Sequence, residues 1–113
     1  MNETELKNYY SNITLSKEEL DSLINLNLSI KPSAPILAIS GPELTKLPEE
    51  DKDRPVAVIQ NDYVVEIHLV DVNLETIPNE VFMFKFLKKL ILENNNIKSP
   101  STKIGSLKSL EML

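Results

Sequence analysis

Apolar side chains in residues 64–113 recur at a fixed spacing of 23. Val64, Leu87 and Leu110 share one position of the pattern, and Ile67, Leu90 and Leu113 share another. Leu69 matches Leu92, Leu74 matches Ile97, Val81 matches Ile104 and Phe84 matches Leu107. Inside each copy the alternation Ile67-x-Leu69, or Leu90-x-Leu92, predicts a short strand with one apolar face. A period of this length predicts stacked turns, each laying its strand parallel to the last, with an irregular or short helical arm returning on the outside. A single turn cannot bury its own apolar residues, so the core forms between neighbours. Residues 110–113 open a third, incomplete copy.

The segments ahead of the repeat carry different patterns. VAVIQ (56–60) and YVVEIHLV (63–70) flank Asn61-Asp62, which predicts a hairpin with a two-residue turn. Residues 55–63 are then the N-terminal edge strand and its turn, covering the first repeat. Residues 34–48 admit two readings. Leu44-x-x-Leu47-Pro48 parallels Leu74-x-x-Ile77-Pro78, which suits a divergent repeat, but the offset is 30, and Pro35 and Pro42 suit a capping strand and loop better. The first 30 residues predict two short helices. Asn2 with Glu5 and Ser16 with Glu19 are capping pairs, and Lys31-Pro32 stops the second helix. Leu20, Leu23 and Ile24 form its apolar face, which serves a cap on the repeat end better than a partner-binding helix. The chain thus divides into a helical cap and charged loop (1–54) and a hairpin edge strand with repeats (55–113).

LKKLILENNNI, residues 87–97, resembles the leucine-rich repeat signature L-x-x-L-x-L-x-x-N-x-[LI], and LETIPNEVFMF, residues 74–84, resembles the back half of the same unit. The resemblance covers residues 64–113. It implies an α/β fold, a leucine-rich-repeat solenoid segment with short parallel strands and a helical N-terminal cap. It also implies that Asn95 bonds backbone groups of adjacent turns inside the loop after the strand. The first copy departs from the signature, with Val72 where the Asn should stand. In the second, Pro100 replaces the apolar residue that Ile77 supplies, which predicts a distorted arm.

The same register nominates a surface. If Ile67, Leu69, Leu90 and Leu92 face inward, then Glu66, His68 and Val70 face outward beside Lys89, Ile91 and Glu93. Glu66 with Lys89 is a candidate lateral ion pair, and His68, Val70 and Ile91 make a small apolar patch with charged edges. By resemblance the family mostly binds proteins. The expectation is a non-enzymatic protein-protein interaction module that uses this face; the alternative is a regulatory or targeting arm of a larger signalling enzyme.

Composition narrows the chemistry. There is no Cys and one His, which removes disulfides, thiolate sites, cysteine nucleophiles and multi-histidine metal sites. A net charge of −5 argues against a nucleic-acid partner. The acidic start MNETELK is no leader, and no apolar run approaches the ~20 residues of a membrane span; a cytoplasmic protein without membrane contact is expected. Gly41 and Gly105 cannot build a phosphate loop, and Asp51-Lys52-Asp53 fails as a calcium loop because Pro55 takes the third ligand position. His68 beside Glu66 and Asp71 lacks an adjacent nucleophile, and no cofactor or catalytic residue is expected. EEDKDR, residues 49–54, reads as a solvated loop. The sequence stops at Leu113 inside a strand, which suggests a fragment and leaves an open C-terminal repeat edge as a site for self-association.

Overall fold

The computed structural model describes residues 2–98 and 111–112. Helix α1 (Glu3–Tyr9) starts at Asn2, whose Oδ1 accepts from the Glu5 amide at 2.9 Å while the Glu5 carboxylate accepts from the Asn2 amide at 3.1 Å. This reciprocal cap satisfies two donors that a helix start leaves without partners. Helix α2 (Lys17–Ile30) starts at Ser16, which accepts from the Glu19 amide at 3.3 Å. Here the expected reciprocal pairing is only half made. The Glu19 carboxylate leaves the cap and accepts from the Val64 amide at 2.7 Å. A tertiary donor in a buried site has won over a local, solvated one. The Ser16 amide in turn donates to the Asp62 carbonyl at 2.9 Å, so the start of α2 is pinned to the hairpin. Lys31 closes α2 with a left-handed φ of 49°, ahead of Pro32.

Among the described residues, five strands form one sheet in the order β1 (Leu37–Ser40), β2 (Val56–Gln60), β3 (Tyr63–His68), β4 (Lys89–Ile91) and β5 (Glu111–Met112). Only β2 and β3 are antiparallel; the other neighbours run parallel. The fold is mixed α/β with a mostly parallel sheet. The β2–β3 turn is the two residues Asn61 and Asp62, with φ of 53° and 71°. Two positive φ values match the strand twist, and Asn and Asp tolerate them better than most residues.

β2 is not the edge strand that the sequence suggests. β1 lies outside it, with Leu37 opposite Val56. Residues 34–48 therefore supply a covering strand and loop rather than a repeat stacked on Ile67. After β1 comes a single helical turn, α3 (Gly41–Leu44), which contacts both β1 and β2. Val56 and Val58 point away from Ala57 and the main core, yet are 2% and 3% exposed. The α3 segment accounts for this second layer at the β1–β2 end.

One core spans both halves of the chain. Leu6, Tyr10, Leu23, Ile24, Leu26 and Ile36 pack with Val64, Ile67, Leu69, Ile77, Val81, Phe84, Leu87 and Leu90. Val64 and Ile67 are three residues apart, yet both are fully buried. A regular strand would send them to opposite faces. The register jumps from Val58 opposite Glu66 to Ile59 opposite Val64, leaving Val65 as the extra residue of a bulge. That bulge turns both side chains inward.

Within this core Asn27 ties three segments together. Its Nδ2 donates to the Tyr10 hydroxyl at 2.9 Å and to the Leu23 carbonyl at 2.8 Å, and its Oδ1 accepts from the Ile36 amide at 2.9 Å. The Tyr10 hydroxyl donates to the Ile36 carbonyl at 2.6 Å. Burial pushes the Tyr10 pKa far up, which keeps the hydroxyl a donor. In the charged run 49–54, Glu49, Glu50, Lys52 and Asp53 are exposed as expected, whereas Asp51 and Arg54 are half-buried. Arg54 donates to the Pro35 carbonyl at 2.6 Å and to the Tyr9 hydroxyl at 3.2 Å, and pairs with Asp51 at 3.4 Å. Burial opposes its charge, but Tyr9 and Asp51 together raise its pKa.

Two expectations follow. Asn27→Ala leaves the buried Ile36 amide without an acceptor and should lower stability by about 1–3 kcal/mol in urea unfolding. Burial raises the Glu19 carboxyl pKa, and the Val64 amide with the Lys85 amide and ammonium offsets only part of this. A pKa raised on folding gives stability that is present below the unfolded pKa and lost as pH rises through the folded one. Glu19→Gln keeps the acceptor and removes the charge. It should be more stable than the parent near pH 7, with the gap closing towards pH 4; a gap that widens on acidification would contradict the assignment.

Candidate functional site

β3 and β4 bring the expected face together. Glu66 stands opposite Lys89 and His68 opposite Ile91. The ladder runs on past the strand ends, from the Leu69 amide to the Ile91 carbonyl at 2.8 Å and from the Asp71 amide to the Glu93 carbonyl at 3.0 Å. Val70 and Glu93 therefore continue the two rows. Glu93 is exposed, whereas Glu66, His68, Val70, Lys89 and Ile91 are half-buried. The face does not extend over β2, where Val56 and Val58, opposite His68 and Glu66, are buried at the end that α3 contacts.

Glu66 does not pair with Lys89 across the strands. Its Oε1 lies 3.0 Å from His68 Nε2, two residues along the same strand. This contact shows that the two side chains share one face. An ionised carboxylate only accepts, so His68 donates through Nε2. Their side chains are 30% and 18% exposed, so this is a rim contact rather than an isolated buried pair. Lys89, half-buried, also lies opposite Glu111 of β5 on its other side.

The two strands are held in register by Asn95. Its Oδ1 accepts from the Val72 amide at 3.0 Å and the Leu74 amide at 3.1 Å. Its Nδ2 donates to the Leu69, Leu92 and Glu93 carbonyls. One side chain thus serves the loop of its own turn and that of the turn before. Backbone bonds from Asn96 to Leu74 and from Lys98 to Glu75, each 2.9 Å, extend the same alignment. Val72, which stands at the matching position of the first copy, cannot do this. It packs against the core instead, and its amide is one of the groups Asn95 satisfies.

The 23-residue spacing is visible in the backbone as well as in the apolar positions. Asp71 and Asn94, 23 apart, adopt φ of 55° and 58°. Tyr63 and Phe86, also 23 apart, touch with ring centroids 4.3 Å apart and planes tilted by 53°. Neither pair is aliphatic, so an apolar comparison of the two copies passes over both; comparing turn formers and aromatics at the same offset would have found them. The third copy departs by one residue, since Leu90 stands opposite Met112 rather than Leu113. The arm that sets this offset, including Pro100, Ile104 and Leu107, lies outside the described residues.

Among the described residues, no group of three His, Asp or Glu side chains could hold a metal ion, and no helix is long and apolar enough to cross a membrane. No family model matches the sequence, and no curated protein or solved structure matches it either.

Asn95→Ala should lower stability by about 1–3 kcal/mol for the amides it strands. Asn95→Asp keeps both acceptor contacts but sets a carboxylate against three carbonyls. Its deficit relative to the parent, read from urea midpoints, should shrink on acidification as the side chain regains a donor. A deficit that does not change with pH would argue against the donor role.

Proposed function

We propose that the chain is the capped first part of a leucine-rich-repeat solenoid that recognises a protein partner through Glu66, His68, Val70, Lys89, Ile91 and Glu93. The observation that carries this reading is Asn95. A single half-buried amide joins the loops after β3 and β4 at the offset seen in the apolar pattern, the left-handed Asp71 and Asn94, and the Tyr63–Phe86 ring contact. Stacked turns of this kind hold side chains at fixed spacing, so little conformational entropy is lost on contact. In this reading α1, α2 and the β1–β2 pair form the cap. They fill the apolar end that the first turn would otherwise expose.

The face is small and mixed in charge, which suits recognition by shape and a few polar contacts rather than by bulk apolar area. Ile91 sits near its centre, beside His68. Immobilised parent chain should retain specific proteins from an extract of the source cells, and Ile91→Glu should lose them while keeping the parent's circular dichroism spectrum. Unchanged retention of every such protein by Ile91→Glu would remove this face from the interface.

A further inference from the structure

His68 stands in the middle of its row on the strand face, between Glu66 and Val70, and is the only imidazole in the chain. Its Nε2 lies 3.0 Å from Glu66 Oε1. Among the described residues Arg54 Nε is the only buried side-chain nitrogen or oxygen without a partner. His68 Nδ1 also has no partner among them, so it is open to solvent. Its neighbours across the sheet offer nothing to bond: Val56 of β2 lies on one side and Ile91 of β4 on the other. The charged groups around it are Glu66 on its own strand, Lys89 opposite Glu66, and Asp71 and Glu93 past the strand ends. Glu111 of β5 lies beyond Lys89. On the β2 side the one charged residue of α3 is Glu43, whose carboxylate is taken by Ser40.

A neutral imidazole has one N–H and one lone pair, and an ionised carboxylate only accepts. With the Nε2 proton given to Glu66, the lone pair is on Nδ1. We propose that Glu66 fixes His68 as a hydrogen-bond acceptor in the middle of the face, and that protonation of His68 turns the same atom into a donor and releases the partner. The inference rests on the strand-face reading and specifies the group that the partner presents there. That group is an O–H or N–H donor, beside an apolar residue that covers Ile91. Imidazolium donates through both nitrogens. Two donors facing each other leave both unpaired inside a contact from which water is excluded, so the bound state loses most of what the acceptor supplied. Imidazole is the side chain that changes charge between about pH 5 and 8. With one His in the chain, the face has one such element.

The test uses the full chain and has two readouts. A single His makes the imidazole nitrogen resonances unambiguous in long-range proton–nitrogen NMR. At about pH 8 Nε2 should carry the proton and Nδ1 should be bare; at about pH 5 both should be protonated. Glu66→Ala should let the Nδ1–H tautomer appear. A bare Nε2 in the parent, or a tautomer that Glu66→Ala leaves unchanged, would overturn the assignment. The second readout is the set of proteins that the immobilised parent retains from an extract of the source cells. Retention should fall about tenfold or more between about pH 8 and pH 5, with the circular dichroism spectrum unchanged. His68→Asn keeps an acceptor without a titrating ring and should retain the same proteins at both pH values. The parent's own pH dependence decides the matter even if His68→Asn proves unstable. Retention that is equal at both pH values and lost in Ile91→Glu would overturn the switch and leave the strand-face reading standing. A parent that retains nothing at either pH overturns both.

Discussion

A turn that leaves one strand and returns parallel to it has to bend its backbone away from the ladder, and the amides in that bend lose their strand partners. Asn95 meets this constraint between β3 and β4. Its amide group is short enough to enter the loop and has both donor and acceptor atoms, so it can serve amides of one turn and carbonyls of two. Neither a carboxylate nor an ammonium offers both. The outward face depends on it, because tying the two loops together supports the backbone register that sets Glu66 opposite Lys89 and His68 opposite Ile91.

The other end of the sheet is stabilised by different means. β2 and β3 make a hairpin whose tip accepts from Ser16 and whose second strand donates to Glu19, so α2 is locked against it at two points. Asn27 then links α2 to Tyr10 and to Ile36 just before β1. The outer edge at β1 has few free backbone groups nearby. The Ile36 carbonyl is taken by Tyr10, the Pro35 carbonyl by Arg54 and the Ser40 amide by Glu43. An edge blunted in this way is a poor template for another strand.

Much of this was legible in the residues. The 23-residue spacing predicted the β3–β4 register, in which buried Ile67 lies beside buried Leu90. Asn61-Asp62 predicted the hairpin turn, because few residue pairs tolerate two positive φ values. Asn2 and Ser16 predicted the helix starts. For the candidate face, the six outward positions followed from the inward ones once the strand period was known.

Other features depend on partners far along the chain, and no local pattern encodes them. Glu19 has the sequence of a capping residue and becomes a buried acceptor for Val64, 45 residues away. Glu66 has a lysine opposite and turns to His68. Arg54 sits in a run of charge and docks on Pro35 and Tyr9. Residues 34–48 could have been a repeat and became a strand beside β2, because the hairpin offered an edge to pair with. The sequence by itself determined periodicity, turn sites and which side chains must be buried, since these depend on spacing and local sterics. The tertiary structure alone decided where buried polar groups find partners and which edge is covered, since a hydrogen bond is won by whichever donor the completed fold brings closest.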